Sequence, residues 1–486
     1  MRMLDLLNQI DAIVWGSEMC IRDSVWGPWL LVLLVGTGIY LTIRLRLLQM
    51  VKLPRALRLI FFARNKGDGD IDSFKALCTA LAATVGTGNI VGVATAVVAG
   101  GPGAGVATAI KLGGPGALFW MWVAAFFGMA TKYAEGCLAV KFRSIDENGN
   151  IAGGPMYYIE QGLGKKWKPL ALAFAFFGTL TAMLGSGTTT QVNAITSSLQ
   201  ASLGVPILPS AAVITILVAI ITFGGLKSIS KTAEKIVPAM AVLYFIITVA
   251  LLVIFSGELP HALALVFDGA FEGTAAAGGF AGAGIMLAMR SGIARGLFSN
   301  ESGLGSAPIV AAAAKTKWPA EQGLISMTGT FIDTIIICTL TGLTIIVSGA
   351  WLGDTNGAAL TQAAFSHGYG AVAPILLTVS LTLFAFTTIL GWNYYGERCL
   401  VYLVGVKGIT PYRLCYVAII AGSAFMQLEE IWALADIVNG LMAIPNLIAL
   451  LGLTGVVVAE TKRYFQHLAI RDAKLVAYKA RHIGKK

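Results

Sequence analysis

Apolar residues run through this chain in long blocks separated by short polar connectors. About eleven blocks are long enough to predict membrane-crossing helices, over 25–43, 73–100, 116–140, 169–203, 207–224, 236–256, 272–290, 322–349, 371–396, 411–427 and 430–458. A helix needs ~20 residues to cross ~30 Å of hydrocarbon. The blocks at 207–224 and 411–427 are the shortest for that task. Helices are required because irregular backbone cannot face lipid. The pattern therefore predicts an all-α polytopic membrane protein whose single transmembrane unit fills 1–486.

Composition strengthens this reading. Of the 486 residues, 56% are hydrophobic and 12% charged, whereas soluble domains carry about 25% charge. Mean hydropathy is +0.77. These values exclude a water-soluble enzyme, a nucleic-acid binder and a disordered chain. The formal charge of +10 reflects Lys and Arg concentrated in alternate connectors. Basic groups follow the first span (Arg44 to Lys66), the third (Lys141 to Lys168), the fifth (Lys227 to Lys235), the seventh (Arg290 to Lys317) and the ninth (Arg398 to Arg413), and fill the tail 459–486. The positive-inside rule then predicts an N-terminus outside and a cytoplasmic C-terminus. Five of the six cysteines lie in or beside spans and read as membrane-buried thiols; the four histidines are scattered, which argues against a metal centre.

One segment breaks the pattern. Val-Trp-Gly occurs at 14–16 and again at 25–27, and the polar octapeptide 17–24 separates the copies. Removing one copy and the octapeptide leaves the continuous run DAIVWGPWLLVLLVGTGIYL. The octapeptide resembles a translated sequencing adaptor, so 17–24 reads as an assembly artefact; the alternative is a genuine loop. No secretory cleavage signal precedes the first span, which is expected to remain in the mature protein.

Two spans contain too much glycine for rigid helices. In the second, Thr84-Val85-Gly86-Thr87-Gly88-Asn89 interrupts the apolar run. It lacks the βαβ context of a dinucleotide loop. A helix break at mid-membrane exposes N–H groups suited to a carboxylate and carbonyls suited to Na⁺; close packing through small residues is the competing explanation. In the seventh span, 273–284 holds a second glycine cluster about 190 residues later. Paired interruptions in matching positions of two halves point to a transporter binding site. Five spans begin at 73 and five at 272, an odd number that makes the halves inverted: 73–256 and 272–458, preceded by one extra helix at 25–43.

The segment Gly113–Gly128, with ALAATVGTGNIVGVATA, GGPMYYIE at 153–160 and RGLFSNESGLGSAPI at 295–309, resembles the alanine or glycine:cation symporter family, also called sodium:alanine symporters. The likeness extends from about residue 25 to the basic tail, the octapeptide excepted. It implies a leucine-transporter-type five-plus-five inverted repeat and uptake of alanine or glycine coupled to Na⁺, or less often to H⁺. It further implies that a substrate carboxylate meets the turn formed by Gly86, Thr87, Gly88 and Asn89. Sodium ligands implied by resemblance are the carbonyls of Ala82, Val85 and Phe384 and the hydroxyls of Thr387 and Thr388; the two hydroxyls could instead back-bond to their own helix.

Polarity extends the candidate substrate pocket to Thr84, Gln191, Trp392 and Asn393, with Phe280 limiting side-chain size. Interhelical hydrogen bonding for Gln191 and interfacial anchoring for Trp392 and Asn393 are the plainer alternatives. Intramembrane Asp333 is a candidate for a second cation, a proton or local hydrogen bonds; Asp436 suits packing. Lys132 and Glu135 look like a local ion pair, and Asn300-Glu301-Ser302 like part of an inner gate. No ATP-binding or hydrolytic motif is present. The expected function is secondary symport at the plasma membrane, with the amino acid, Na⁺ and the bilayer as partners, no nucleic acid and no cofactor. A proton-coupled carrier of the same fold is the nearest alternative and an ion channel a remoter one. The choice of alanine or glycine and the oligomeric state leave no mark in the sequence.

Overall fold

A computed structural model of the chain describes residues 25, 27–62, 67–99, 114–185, 187–271, 281–423 and 428–483. Phe280, most of the 273–284 cluster and the octapeptide 17–24 lie outside these residues. The described residues form a bundle of helices with one two-stranded hairpin. Helix α1 (Pro28–Arg44) is followed by the short amphipathic α2 (Leu53–Phe62). The next span is broken into α3 (Ser73–Thr84) and α4 (Val93–Ala99), joined by a wide π turn at Gly88–Gly92. Then come α5 (Gly116–Lys141), α6 (Lys168–Leu184), α7 (Thr189–Leu203), α8 (Ile207–Phe223), α9 (Gly225–Ile254) and α10 (Leu259–Phe271). The second half holds α11 (Ala281–Asn300), α12 (Ala307–Ala311), α13 (Pro319–Thr330), a π segment (Phe331–Cys338) running into α14 (Thr339–Val347), α15 (Gly357–Tyr369), α16 (Ala373–Val404), α17 (Ile409–Ser423), α18 (Leu428–Gly452) and α19 (Thr454–Ile483).

Among the described residues, five helices are long and apolar enough to cross a membrane, and six when α3 and α4, bent by 54°, count as one span. Apolar side chains on α8 and α9, such as Ile216, Ile220, Phe245 and Ile246, face outward. In water that surface would be costly; against lipid it is the matched solvent. Cys415 is likewise exposed, whereas Cys78, Cys137, Cys338 and Cys399 are buried thiols.

The basic connectors gather on one face. Ile71 bridges to Ala314, and the Arg143 guanidinium donates to the carbonyls of Ala312, Ala314 and Thr316. The hairpin β1 (Ser144–Ile145) and β2 (Ile151–Ala152) carries Asp146, which accepts from Arg398 at 2.8 Å. Glu397 takes a second hydrogen from Arg398 and one from Arg413. Helix α19 covers the same face: Lys141 meets Glu460, and Trp318 lies 4.6 Å from His467. The basic tail expected at 459–486 continues α19, which packs on this face through Glu460 and His467.

Two expectations need correction. The span expected at 272–290 runs further than expected: among the described residues α11 covers Ala281–Asn300. Beyond α11 the chain unwinds at 301–306, where Glu301, Gly303 and Gly305 have φ of 55°, 88° and 85°; the break expected at 273–284 lies almost wholly outside the described residues. Glycine abundance was ambiguous here. Inside α11, Gly292 lets the Ala117 carbonyl of α5 approach, so that glycine serves helix packing, whereas Gly303 and Gly305 serve unwinding. It follows that Arg290 and Arg295 do not belong to the basic face; they sit within α11 on the far side of the break. The span expected at 169–203 is a single apolar stretch, Lys165–Leu203, whose helix is interrupted between α6 and α7.

Gly303→Ala tests the unwound loop. A Cβ there would lie 2.7 Å from Leu34 and occupy a left-handed conformation, at a cost of about 1–3 kcal/mol. The thermal midpoint in detergent is expected to fall; an unchanged midpoint contradicts the loop geometry.

Candidate functional site

Where α3 ends, backbone groups lose their helical partners, and side chains replace them. The Gly86 N–H, which a continuous helix would give to Ala82, instead donates to Asn89 Oδ1 at 2.9 Å. The Thr87 N–H donates to Gln191 Oε1 at 3.3 Å, and Gln191 Nε2 donates to Thr87 Oγ1 at 3.0 Å. Gln191 projects from the first turn of α7, so the α6–α7 break supplies the amide that braces the α3–α4 break. Every group is buried, where an unserved peptide costs about 1–3 kcal/mol.

Glycine is needed here for space. A Cβ on Gly86 would lie 2.5 Å from Thr388 Oγ1, and one on Gly88 3.2 Å from Ser299 Cα. Helix α16 therefore presses on the turn from one side and the end of α11 from another. Thr388 Oγ1 lies 3.0 Å from the Phe384 carbonyl and 3.4 Å from the Val85 carbonyl. Val85, Phe384 and Thr388 thus converge beside the turn, and Ala82 is one helical turn before Gly86. Thr387 also reaches the Phe384 carbonyl, but its hydroxyl's other contact is Met240 Sδ at 3.6 Å. Its hydroxyl therefore stands apart from Val85.

Two further expected pocket residues do not join these contacts. The Thr84 hydroxyl back-bonds to Ala80 and Leu81 of its own helix. Asn393, five residues beyond Thr388, points about 140° around α16 from it; its amide is buried with no partner among the described residues. Trp392, four residues beyond Thr388, keeps to the same face. It packs on Gly187 of the α6–α7 break and faces the Glu301 carboxylate. Phe298, which carries no signal in the sequence, stands beside Gly88: a Cβ on that glycine would lie 3.5 Å from the Phe298 ring.

Asp333 links the two breaks. Its Oδ1 accepts from Asn89 Nδ2 at 2.8 Å, and its Oδ2 accepts from Ser299 Oγ at 2.9 Å and Thr334 Oγ1 at 2.8 Å. The π segment that carries it is wide enough to turn the carboxylate toward both α3–α4 and α11. Three donors serve an ionised carboxylate fully.

The expected Lys132–Glu135 pair does not form. Lys132 Nζ donates to the Asn300 carbonyl at 2.8 Å, while Glu135 Oε1 accepts from the Gly303 N–H at 3.1 Å and Asn446 Nδ2 at 2.7 Å. Both residues grip the unwound loop from α5, because its bare peptides are stronger claimants than a neighbour one turn away. Asn300 and Ser302 are buried against Thr334 and Thr330.

On the side away from the basic connectors, a cavity of about 530 Å³ opens beside the π turn. Val91, Gly92, Asn193, Ser197, Arg295 and Asn356 line it. Arg295 pairs with Asp436 at 3.8 Å and lies 5.8 Å over the Phe298 ring. The expected packing role of Asp436 becomes an ion pair at the cavity edge.

The profile of the Sodium:alanine symporter family matches residues 16–104 and 104–477. A transporter of Haemophilus influenzae, named without a substrate, is 53% identical over 467 residues, covering 96% of this chain and 97% of its own. The sodium/alanine symporter AgcS of Methanococcus maripaludis is 49% identical over 465 residues, covering 93% and 98%. The probable sodium/glutamine symporter GlnT of Bacillus subtilis is 40% identical over 448 residues, covering 91% and 89%.

Asn89→Asp tests the clamp. It replaces the donor to Asp333 with a second carboxylate in a buried site, where like charges repel strongly. The protein is expected to lose about 2 kcal/mol or more of stability, read as a lower thermal midpoint than for Asn89→Ala. Equal midpoints contradict the Asn89–Asp333 contact.

Proposed function

The chain belongs to the sodium:alanine symporter family, a family of membrane transporters and not of enzymes, and we propose that it carries a small neutral amino acid, alanine or glycine, together with Na⁺. The observation that carries this reading is the oxygen cluster beside an unwound turn. The Val85 and Phe384 carbonyls and the Thr388 hydroxyl lie together, and hard oxygen ligands suit a small cation. The Ala82 carbonyl, released from Gly86, is a further ligand, and Thr387 is at most a peripheral one.

The substrate carboxylate takes the N–H groups around Gly86 to Gly88, displacing the side-chain acceptors that hold them. Gln191 then turns to the substrate rather than to Thr87. Phe298 and Trp392 bound the space left for a side chain and disfavour larger amino acids by steric exclusion. Asp333 supplies a fixed negative charge near the positively charged ammonium and cation.

Transport follows by alternating access, with the cavity beside Arg295 leading to one face and the loop 301–306 closing the other. With the basic connectors on one face, the positive-inside rule makes that face cytoplasmic, the C-terminus inside and the cavity extracellular, in the plasma membrane. Each Na⁺ entering down a 100 mV potential contributes about 2.3 kcal/mol to accumulation.

Labelled alanine uptake into proteoliposomes, with Na⁺ replaced by choline, tests the reading. Uptake is expected to require Na⁺, and Thr388→Ala to raise the half-saturating Na⁺ about tenfold, the equivalent of one lost ligand of ~1.4 kcal/mol. Thr387→Ala is expected to change it much less. Uptake without Na⁺ overturns the coupling, and an unchanged Na⁺ dependence in Thr388→Ala overturns the site.

A further inference from the structure

The interior holds more negative than positive charge around the second break. Glu135, Glu301 and Asp333 are each at most 3% exposed, and Lys132, the ammonium among them, is 2% exposed. Ionising all three carboxyls would leave two uncompensated charges away from water, a cost of several kcal/mol each. Hydrogen bonding distinguishes the three. Asp333 has donors on both oxygens. Glu301 accepts from Ser306 and faces the Trp392 indole. Glu135 has both donors on Oε1, and its Oε2 is buried with no hydrogen-bond partner among the described residues.

The groups around Glu135 offer little more. Lys132 lies one turn back on α5 and is committed to the Asn300 carbonyl. From the unwound loop come Glu301 and the peptide of Gly305; from α18 comes Asn446, whose Oδ1 takes the Tyr158 hydroxyl; from α16 comes Tyr395, and Asp333 lies beyond Lys132. Tyr158 and Tyr395 are buried phenols without charge. A bare carboxylate oxygen in such a place is far costlier than a neutral carboxyl.

We propose that Glu135 is a proton-binding site coupled to the seating of the 301–306 loop. The carboxyl is neutral while the Gly303 N–H and Asn446 hold it in the closed basic face. When the loop withdraws to open that face, water reaches Glu135 and the proton passes to solvent there. Closing takes one proton back from the same side, so no net proton crosses the membrane. Because the proton is bound in the closed form and released in the open form, acid on the basic face favours closure and slows the step that opens it. This inference rests on the transport reading for its kinetic test alone.

Na⁺-driven alanine uptake into proteoliposomes is measured while the pH on the basic face is varied between about 6 and 8, where one linked proton changes an equilibrium by at most about tenfold per pH unit. The wild type is expected to slow several-fold toward acid. Glu135→Gln, which keeps an oxygen for the Gly303 N–H but cannot ionise, is expected to be slow and flat across that range; Glu135→Asp is expected to keep the slope. Independently of transport, infrared spectra of the detergent-solubilised protein at neutral pH are expected to contain a protonated-carboxyl C=O stretch that weakens in Glu135→Gln. A slope in Glu135→Gln equal to the wild type's, or carboxyl bands that do not differ, overturns the proposal. A wild type without Na⁺-dependent alanine uptake overturns the transport reading instead, and the infrared comparison still decides Glu135.

Discussion

An interrupted helix inside a membrane must find partners for its freed peptide groups, because lipid offers none. Much of this structure is organised by that demand. At the first break, Asn89 and Gln191 stand in for the missing helical carbonyls. At the second, Lys132, Glu135 and Asn446 hold the peptides of Asn300 and Gly303. The substitutes are side chains that can rotate away, so the same peptides are available to a ligand at modest cost. A continuous helix would offer nothing comparable, since its N–H groups are already engaged by neighbours four residues back.

The two breaks are joined rather than merely adjacent. Asp333 touches Asn89 of the first and Ser299 at the end of α11, and Trp392 spans from the face of Thr388 to Glu301. An ion or substrate that reorients Asn89 or Thr388 therefore acts on groups that also fasten the second loop. Under the proposed function, differential contacts at one unwound turn would alter the partners of the other. The lipid-facing surfaces of α8 and α9 take no part in this network; their exposed apolar side chains only have to match the solvent.

The first break was legible in the sequence because Gly86, Thr87, Gly88 and Asn89 combine small size with polarity inside an apolar run, which packing alone does not require. The break expected at 273–284 lies almost wholly outside the described residues, and the unwound loop at 301–306 went unnoticed because glycine count does not separate the two uses of glycine. Gly292 permits helix contact, whereas Gly303 and Gly305 permit left-handed backbone, and only tertiary context tells them apart. Asn393 and Thr84 illustrate a different limit. Their polarity marked them as candidates, but the helical turn points Asn393 away from Thr388, and a hydroxyl can satisfy itself on its own helix. Lys132 and Glu135 had the right spacing for a pair, and the stronger demand of buried peptides on a separate segment drew them apart. Phe298 carried no local signal beyond its place before Ser299-Asn300; a single aromatic in an apolar helix is ordinary.

Hydrogen–deuterium exchange of the amides at 86–88 reads the availability of these peptide groups. These amides are expected to exchange measurably in the ligand-free protein in detergent and to become protected when Na⁺ and alanine are added together, with a smaller effect from either alone. Full protection without ligand, as for an unbroken helix, or no change when both are present would contradict it.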